Sequence, residues 1–225
     1  MYDVGVGCGM TGIGFAAKVS GVGAGRTFLL VDGENIDATL GMSVLGHRPG
    51  AEERPRWDKV LEYAKTIWAQ PVTALFFLNA TSGQLPMGFI QALLAMGYRP
   101  IPLAGAEYEK VVDIGIQRTL AAISELGRGL EQPESGSATD GINRADVIVA
   151  SHDGDYLPQI SALLAGGHRV ALLGFREFLN GSLAGLTDQG LRIHDLEHDV
   201  KAFTVPLPRV RAIPLEDFDP LPYLI

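Results

Sequence analysis

The sequence has one cysteine, Cys8, among 225 residues. A single thiol excludes an internal disulfide and a zinc site built from thiolates, and it fits a reducing compartment. No apolar run reaches the roughly 20 residues that a membrane-spanning helix needs, and no basic start with a long apolar core resembles a secretion signal. We therefore expect a cytoplasmic protein that does not enter a membrane.

Basic residues are outnumbered, because 18 Lys and Arg stand against 26 Asp and Glu and give a net charge of −8. This balance argues against a surface that grips nucleic acid by charge alone. It does not exclude an enzyme whose contacts with nucleic acid are local and whose metal ion supplies the positive charge. With 47% hydrophobic and 20% charged residues, the chain can bury a core of ordinary size.

Segments of two periodicities alternate along most of the chain. Short apolar runs predict strands, and apolar residues at helical spacing predict helices. The strands are expected at 27–31, 72–78, 98–103, 147–150, 169–173 and 191–194, and the helices at 56–68, 87–96, 110–126, 157–165 and 176–187. This alternation predicts an α/β fold with a central, mainly parallel sheet flanked by helices.

Composition divides the chain into three parts. Residues 1–26 form a glycine-rich leader that we expect to be poorly ordered, residues 27–204 form the α/β domain, and residues 205–225 form a proline-rich C-terminal tail. Within the domain, residues 41–54 and 127–143 are expected to be loops.

The leader supports one alternative function. Gly7-Cys8-Gly9-Met10-Thr11-Gly12 is a G-x-G-x-x-G, and Asp32 follows at about the distance that a dinucleotide-binding unit requires. The strand before this motif would be very short, and the helix after it would contain three more glycines, at positions 21, 23 and 25. Each interior glycine costs roughly 1 kcal/mol of helix stability, which weighs against a nucleotide cofactor here.

Acidic residues directly follow two of the predicted strands. Asp32 comes after the strand at 27–31, and Asp153 and Asp155 come after the strand at 147–150. Because the carboxyl ends of parallel strands lie at the same edge of a sheet, these side chains can converge although they are far apart in sequence. The structural alternative is a polar turn in which an aspartate caps the next helix.

Asp113 lies early in the predicted helix at 110–126, which opens on the same edge of the sheet. An acid beside the apolar stripe of a helix needs a partner or a metal ion. Carboxylate oxygens suit Mg²⁺ and Mn²⁺, whereas zinc prefers histidine and cysteine. The pattern is therefore compatible with a Mg²⁺ or Mn²⁺ site built from acids, and the capped polar turn stays open as the structural alternative.

The chain resembles the NYN domains, a branch of the PIN-like nuclease superfamily, from about Phe28 to Asp195. The resemblance depends on four segments that occur in order: Val31-Asp32-Gly33-Glu34-Asn35-Ile36, Lys110-Val111-Val112-Asp113, Ser151-His152-Asp153-Gly154-Asp155-Tyr156 and Gly167-His168-Arg169-Val170. It implies a PIN-like three-layer α/β fold and an acidic metal site that hydrolyses phosphodiester bonds, most often in RNA. The catalytic and metal-binding acids that it implies are Asp32, Asp113, Asp153 and Asp155.

Four further residues are candidates for substrate binding: Asn35, Lys110, Ser151 and His152. By the resemblance, Asn35 supports the first acid. Lys110 either contacts a phosphate or neutralises the acids, and His152 either orients the substrate or has a structural role. Ser151 is expected to cap its turn rather than to act as a nucleophile.

The sequence departs from the NYN pattern at two positions. Thr119 stands where the family often carries a further acid, and His152 stands where glycine is common. Two hypotheses follow from the resemblance. The first is a metal-dependent ribonuclease that uses Mg²⁺ or Mn²⁺, and the second is a catalytically weak NYN-type module that binds RNA or a protein partner. A homo-oligomer is compatible with both.

Overall fold

The computed structural model describes residues 25–128, 145–209 and 213–224. Most of the expected leader, including the G-x-G-x-x-G at 7–12, lies outside the described residues, and so does most of the expected loop at 127–143. No helix within these three ranges is both long enough and apolar enough to cross a membrane.

Within the described ranges, six strands form one sheet in which every neighbouring pair is parallel. The strands are β1 (Arg26–Asp32), β2 (Val72–Asn79), β3 (Arg99–Leu103), β4 (Ala145–Ala150), β5 (Val170–Gly174) and β6 (Arg192–Asp195), in the order β3-β2-β1-β4-β5-β6. The predicted parallel sheet is thus confirmed. Strand β3, which contains two prolines, lies at an edge, where a missing N–H donor is tolerated.

The helices that flank the sheet are α1 (Gly33–Thr39), α2 (Trp57–Ile67), α3 (Met87–Met96), α4 (Val111–Arg128), α5 (Leu157–Ala165) and α6 (Gly181–Ala184). Residues of α1 to α3 pack in a core on one face, and residues of α4 to α6 pack in a core on the other. Successive side chains of β1 point to opposite faces of the sheet, so Leu29 and Val31 lie in the first core and Leu30 lies in the second. The architecture is therefore the predicted three-layer α/β fold.

The segment after β1 differs from its prediction. A turn and a loop were expected there, but the chain forms α1 and then a π-helical segment at Leu40–Leu45. The buried residues Ile36 and Leu40 lie one helical turn apart and pack in the core. Burial of this pair stabilises a helix that is too short to be stable by its own propensity.

The segment 176–187 also differs, because a continuous helix was expected. The structure divides it into a 3₁₀ turn at Arg176–Phe178, helix α6 and a second 3₁₀ segment at Gly185–Gln189. Asn180 interrupts the pattern, since its side-chain oxygen accepts a hydrogen bond from the N–H of Ser182 at 2.9 Å and starts a new helix.

Strands β1 and β4 lie side by side at the centre of the sheet, with Val31 in register with Ala150. From this pair the strand order runs outward in opposite directions. The helix after β1 packs on one face of the sheet, whereas the helix after β4 packs on the other. Such a reversal opens a crevice at the carboxyl ends of the two strands, where open α/β folds bind ligands.

Substitution of Gly33, the first residue of α1, tests how tightly this crevice is built. A Cβ atom at Gly33 would lie 2.5 Å from Cζ of Phe76, whose ring packs edge-on against Trp57 with centroids 5.0 Å apart. We expect Gly33→Ala to lower the free energy of unfolding by about 1–3 kcal/mol, because the ring cannot move freely. Urea denaturation measures this change.

The matched control is Gly88→Ala in α3, where a Cβ atom would meet nothing within 4 Å. This variant should gain about 0.5–1 kcal/mol of stability, as alanine normally does over glycine inside a helix. Equal stability of the two variants would show that Phe76 does not restrict the start of α1.

Candidate metal centre

Three aspartates meet at the central crevice. Asp113 comes from the first turn of α4, and Asp153 and Asp155 come from the turn after β4. One carboxylate oxygen of each lies within 4.8 Å of the other two, a spacing at which the three could hold one metal ion. Asp113 and Asp153 are half-buried and Asp155 is exposed. The structure thus brings together three of the four acids that the sequence indicated.

The turn after β4 is fixed by short-range hydrogen bonds. The N–H of Asp153 donates to Oγ of Ser151 at 3.2 Å, and Oδ1 of Asp153 accepts from the N–H of Asp155 at 2.9 Å. A 3₁₀ turn at Gly154–Tyr156 follows and leads into α5. Ser151 and Asp153 therefore both have the capping roles that the sequence suggested, and capping leaves Asp153 at the edge of the crevice.

Lys110 bridges two of the three acids. Its Nζ atom lies 3.0 Å from Oδ2 of Asp155 and 3.3 Å from Oδ2 of Asp113. The hydrogen bond to Asp155 and then the one to Asp113 raise the pKa of Lys110 above its usual range. The neutralising role considered for Lys110 is therefore observed, and its exposed ammonium group also stands at the mouth of the crevice.

Asp32 lies beside this group and is not one of its three members. Its side chain is almost fully buried at the end of β1. Oδ1 accepts from the N–H of Asn35 at 3.1 Å, and Oδ2 accepts from Oγ of Ser151 at 3.2 Å and from the hydroxyl of Tyr156 at 2.8 Å. Burial and, to a smaller extent, the negative charge of Asp113 raise the pKa of Asp32 to about 6, although the three hydrogen bonds act in the opposite direction.

Tyr156 is a site residue to which the sequence assigned no role. It is fully buried, and burial together with the charge of Asp32 raises the pKa of its hydroxyl far above the usual value. The hydroxyl therefore stays protonated and donates to Asp32. The only sequence signal was its position directly after the acidic turn, and an aromatic residue at that position is equally compatible with a role in the core.

Asn35 and His152 connect three strand ends. Oδ1 of Asn35 accepts from both the backbone N–H and Nδ1 of His152, at 2.8 and 3.1 Å, and Nε2 of His152 accepts from the N–H of Phe175 at 2.7 Å. Because Nε2 accepts, the ring proton is on Nδ1 and the imidazole is neutral. Both ring nitrogens are thus engaged by protein groups, which gives His152 a structural role in this conformation.

Helix α4 also presents residues near the position where a further acid was expected. Oγ1 of Thr119 donates to the carbonyl oxygen of Gly115 at 2.8 Å, so its hydroxyl is used within the helix. Nε2 of Gln117 donates to the carbonyl oxygen of Asp155 at 3.1 Å and holds the acidic turn against α4. Gln117 could not be selected from the sequence, because this contact joins residues that are distant in the chain.

Two cavities lie at the start of α1, and one of them contains an acid of the candidate metal centre. A cavity of about 260 Å³ is lined by Asp113, Lys110 and Tyr108, among others. A larger one of about 700 Å³ is lined by residues of α1 and of the segment after it, including Arg48. Glu34 is a lining residue of both cavities, so the two lie next to this side chain.

Asp32 and His152 should contribute to the stability of the folded protein in ways that depend oppositely on pH. The pKa of Asp32 rises from 3.8 to about 6 on folding, so its contribution to stability falls as the pH rises through this range. The pKa of His152 falls from 6.5 to about 4 on folding, so its contribution is present above 6.5 and is lost as the pH falls towards 4.

We therefore expect Asp32→Asn to gain stability relative to the unmodified protein as the pH rises from 4 to 6, by up to about 3 kcal/mol. We expect His152→Gln to gain relative stability as the pH falls from 6.5 to 4, by a similar amount. Urea unfolding in EDTA at a series of pH values measures both differences. Slopes of the same sign in the two variants would contradict the assignment.

Comparison with known proteins adds evidence on the fold. No family model matches this chain, and no curated protein matches it. The crystal structure of a protein of unknown function from Vibrio parahaemolyticus is similar, with a TM-score of 0.55 and 14% sequence identity over 80% of this chain and 98% of that chain. At this identity the likeness supports the three-layer α/β fold, and the resemblance to NYN domains stays a prediction.

Proposed function

We propose that this protein is a metal-dependent ribonuclease that hydrolyses RNA phosphodiester bonds at the central crevice. The observation that carries the proposal is the convergence of Asp113, Asp153 and Asp155, whose carboxylate oxygens lie within 4.8 Å of one another. The donors are all carboxylate oxygens, which fit Mg²⁺ or Mn²⁺ and do not fit zinc.

In this proposal, Asp113, Asp153 and Asp155 hold the divalent ion. Such an ion, when bound, polarises a phosphoryl oxygen and lowers the pKa of a coordinated water. The three carboxylates and Lys110 together carry a net charge of −2, so a divalent ion is the ligand that balances the site. Lys110 exchanges its contacts with Asp113 and Asp155 for a phosphate oxygen of the substrate.

In this proposal, the buried Asp32 supports the metal site by orienting the acidic turn. It accepts hydrogen bonds from Ser151 and Tyr156, and Ser151 in turn accepts from the N–H of Asp153. This chain of contacts orients the acidic turn, and the charge of Asp32 adds to the negative potential that attracts the cation. Asn35 and His152 hold the ends of β1, β4 and β5 in place around it.

A catalytically weak module that binds RNA or a protein partner is the second candidate. One observation favours it, because Lys110 already pairs with Asp113 and Asp155, offsets part of their charge and can stabilise the cluster without a metal ion. The presence of Thr119 in place of an acid points the same way. RNA cleavage that depends on a divalent ion separates the two functions.

The proposal predicts cleavage of single-stranded or structured RNA in Mn²⁺ or Mg²⁺ and none in EDTA. Asp113→Asn and Asp153→Asn should each lower the rate at least about 10²-fold, the scale expected for loss of a key electrostatic group. The exposed Asp188 lies outside the cluster, so Asp188→Asn is the matched control and should cleave at the unmodified rate. Cleavage that persists in EDTA, or in both cluster variants, would overturn the proposal.

A second prediction uses stability and needs no substrate. In EDTA, Asp153→Asn should melt at or above the temperature of the unmodified protein, because one of several repelling charges is removed while an amide oxygen can still cap the turn. In Mn²⁺ the order should reverse, because the unmodified protein gains RT ln(1 + [L]/Kd), about 2.7 kcal/mol at a hundredfold excess over Kd.

Thermal melts of both proteins with and without Mn²⁺ test this reversal. The Asp188→Asn protein should follow the unmodified protein in both conditions. If Asp153 has only a capping role, its variant should lose the same stability, about 1 kcal/mol or less, whether or not Mn²⁺ is present. That result would remove the main support for a metal site.

A further inference from the structure

Tyr108 adopts a backbone conformation that tyrosine rarely takes. It lies between β3 and α4 in a four-residue turn, closed by a hydrogen bond of 3.1 Å from the N–H of Glu109 to the carbonyl oxygen of Ala106. Tyr108 is the third residue of this turn and has a φ of 68°. Glycine or asparagine normally occupies such a position, because a Cβ atom is strained there.

Burial does not compensate this strain. The side chain of Tyr108 is 93% exposed, more than any other large hydrophobic side chain in the described part of the protein. A strained backbone combined with a fully exposed aromatic ring gains nothing for the folded chain. Strain of this kind is typical of ligand-binding positions.

The loop that carries Tyr108 is well supported. The N–H of Ala106 donates to Oε2 of Glu109 at 2.8 Å, and the N–H of Gly105 donates to Oγ1 of Thr81 at 3.4 Å. The N–H of Val111 donates to the carbonyl oxygen of Glu109 at 2.9 Å and joins the loop to the start of α4. The backbone that carries the ring is therefore ordered before any ligand arrives, which reduces the backbone entropy lost on binding.

Tyr108 also lines the cavity of about 260 Å³ that contains Lys110 and Asp113. A ligand that touches the ring can thus reach the acids of the candidate metal centre. The carboxylates of Glu107 and Glu109 flank the ring in sequence. Their charge disfavours a phosphate at this point and leaves contact with an uncharged, planar group.

We propose that Tyr108 is a stacking platform for an unpaired base of single-stranded RNA whose backbone runs past Lys110 to the acidic cluster. The inference rests on the proposed ribonuclease function and specifies its substrate as single-stranded at this point. Stacking tolerates every base, because each has a π face. It also supplies affinity that does not depend on positive charge, which suits a protein with a net charge of −8.

The test measures binding of a short, fluorescently labelled single-stranded RNA by anisotropy, in Ca²⁺, with gels confirming that the RNA stays intact. Tyr108→Gly should weaken binding about 5- to 150-fold, the range for stacking of one base, and Tyr108→Phe should bind within about twofold of the unmodified protein. Because glycine relieves the positive φ, Tyr108→Gly should melt at or above the unmodified temperature. A structural role for the ring would instead lower it.

RNAs with one abasic site at a time give an internal control. An abasic site at one position of the RNA should weaken binding to the unmodified protein and should not change binding to Tyr108→Gly. A duplex of the same sequence should bind both proteins with equal affinity. Equal affinity of Tyr108→Gly and the unmodified protein, or no binding of single-stranded RNA at all, would overturn the inference. If Tyr108→Gly binds as tightly as the unmodified protein, the proposed function is judged separately. It still stands if the unmodified protein cleaves RNA in a metal-dependent way and Asp153→Asn abolishes that cleavage.

Discussion

The buried carboxylate of Asp32 is the interaction on which the central crevice depends. It ends the central strand β1, caps α1 through the N–H of Asn35, and accepts from Ser151 and Tyr156 of the neighbouring segment after β4. A buried carboxylate is tolerated only when hydrogen bonds compensate its lost hydration. The need to satisfy Asp32 therefore holds the two halves of the sheet in one arrangement, and that arrangement aims the acidic turn at α4.

Charge balance determines the chemistry that this arrangement can support. Three acids lie within reach of one ion, Asp32 is close enough to feel the charge of Asp113, and Lys110 offsets only part of the total charge. Burial raises the pKa of Asp32 to about 6 and keeps His152 neutral, so the interior hydrogen bonds add no positive charge to the crevice. The remaining negative charge is directed to the solvent side, where a divalent cation from solution can enter.

The position of the acids also bears on the nucleotide-cofactor alternative. In dinucleotide-binding folds with this strand order, a glycine-rich turn after the first strand holds a pyrophosphate at the crevice. Here β1 ends at Asp32 and α1 begins directly with Gly33 and Glu34, and the charges of Asp32 and Glu34 would repel a pyrophosphate. The G-x-G-x-x-G at 7–12 precedes β1 and lies outside the described residues. The negative charge of the crevice thus favours a cation over a dinucleotide. The structural likeness to the Vibrio parahaemolyticus protein concerns the fold alone.

The sequence by itself determined the layers of the fold, because strands buried on both faces read as apolar runs and the helices between them show a 3.6-residue period. It also indicated that Asp32, Asp113, Asp153 and Asp155 could meet, since parallel strands end at one edge, and the structure groups the last three of these with Asp32 buried beside them. Only the tertiary structure decided the contacts of Tyr156 with Asp32, of Gln117 with the acidic turn and of Lys110 with Asp155. These pairs are far apart in the chain, and their geometry depends on how the layers pack. Helix α1 belongs with them, because a helix of two turns depends on burial of Ile36 rather than on local propensity.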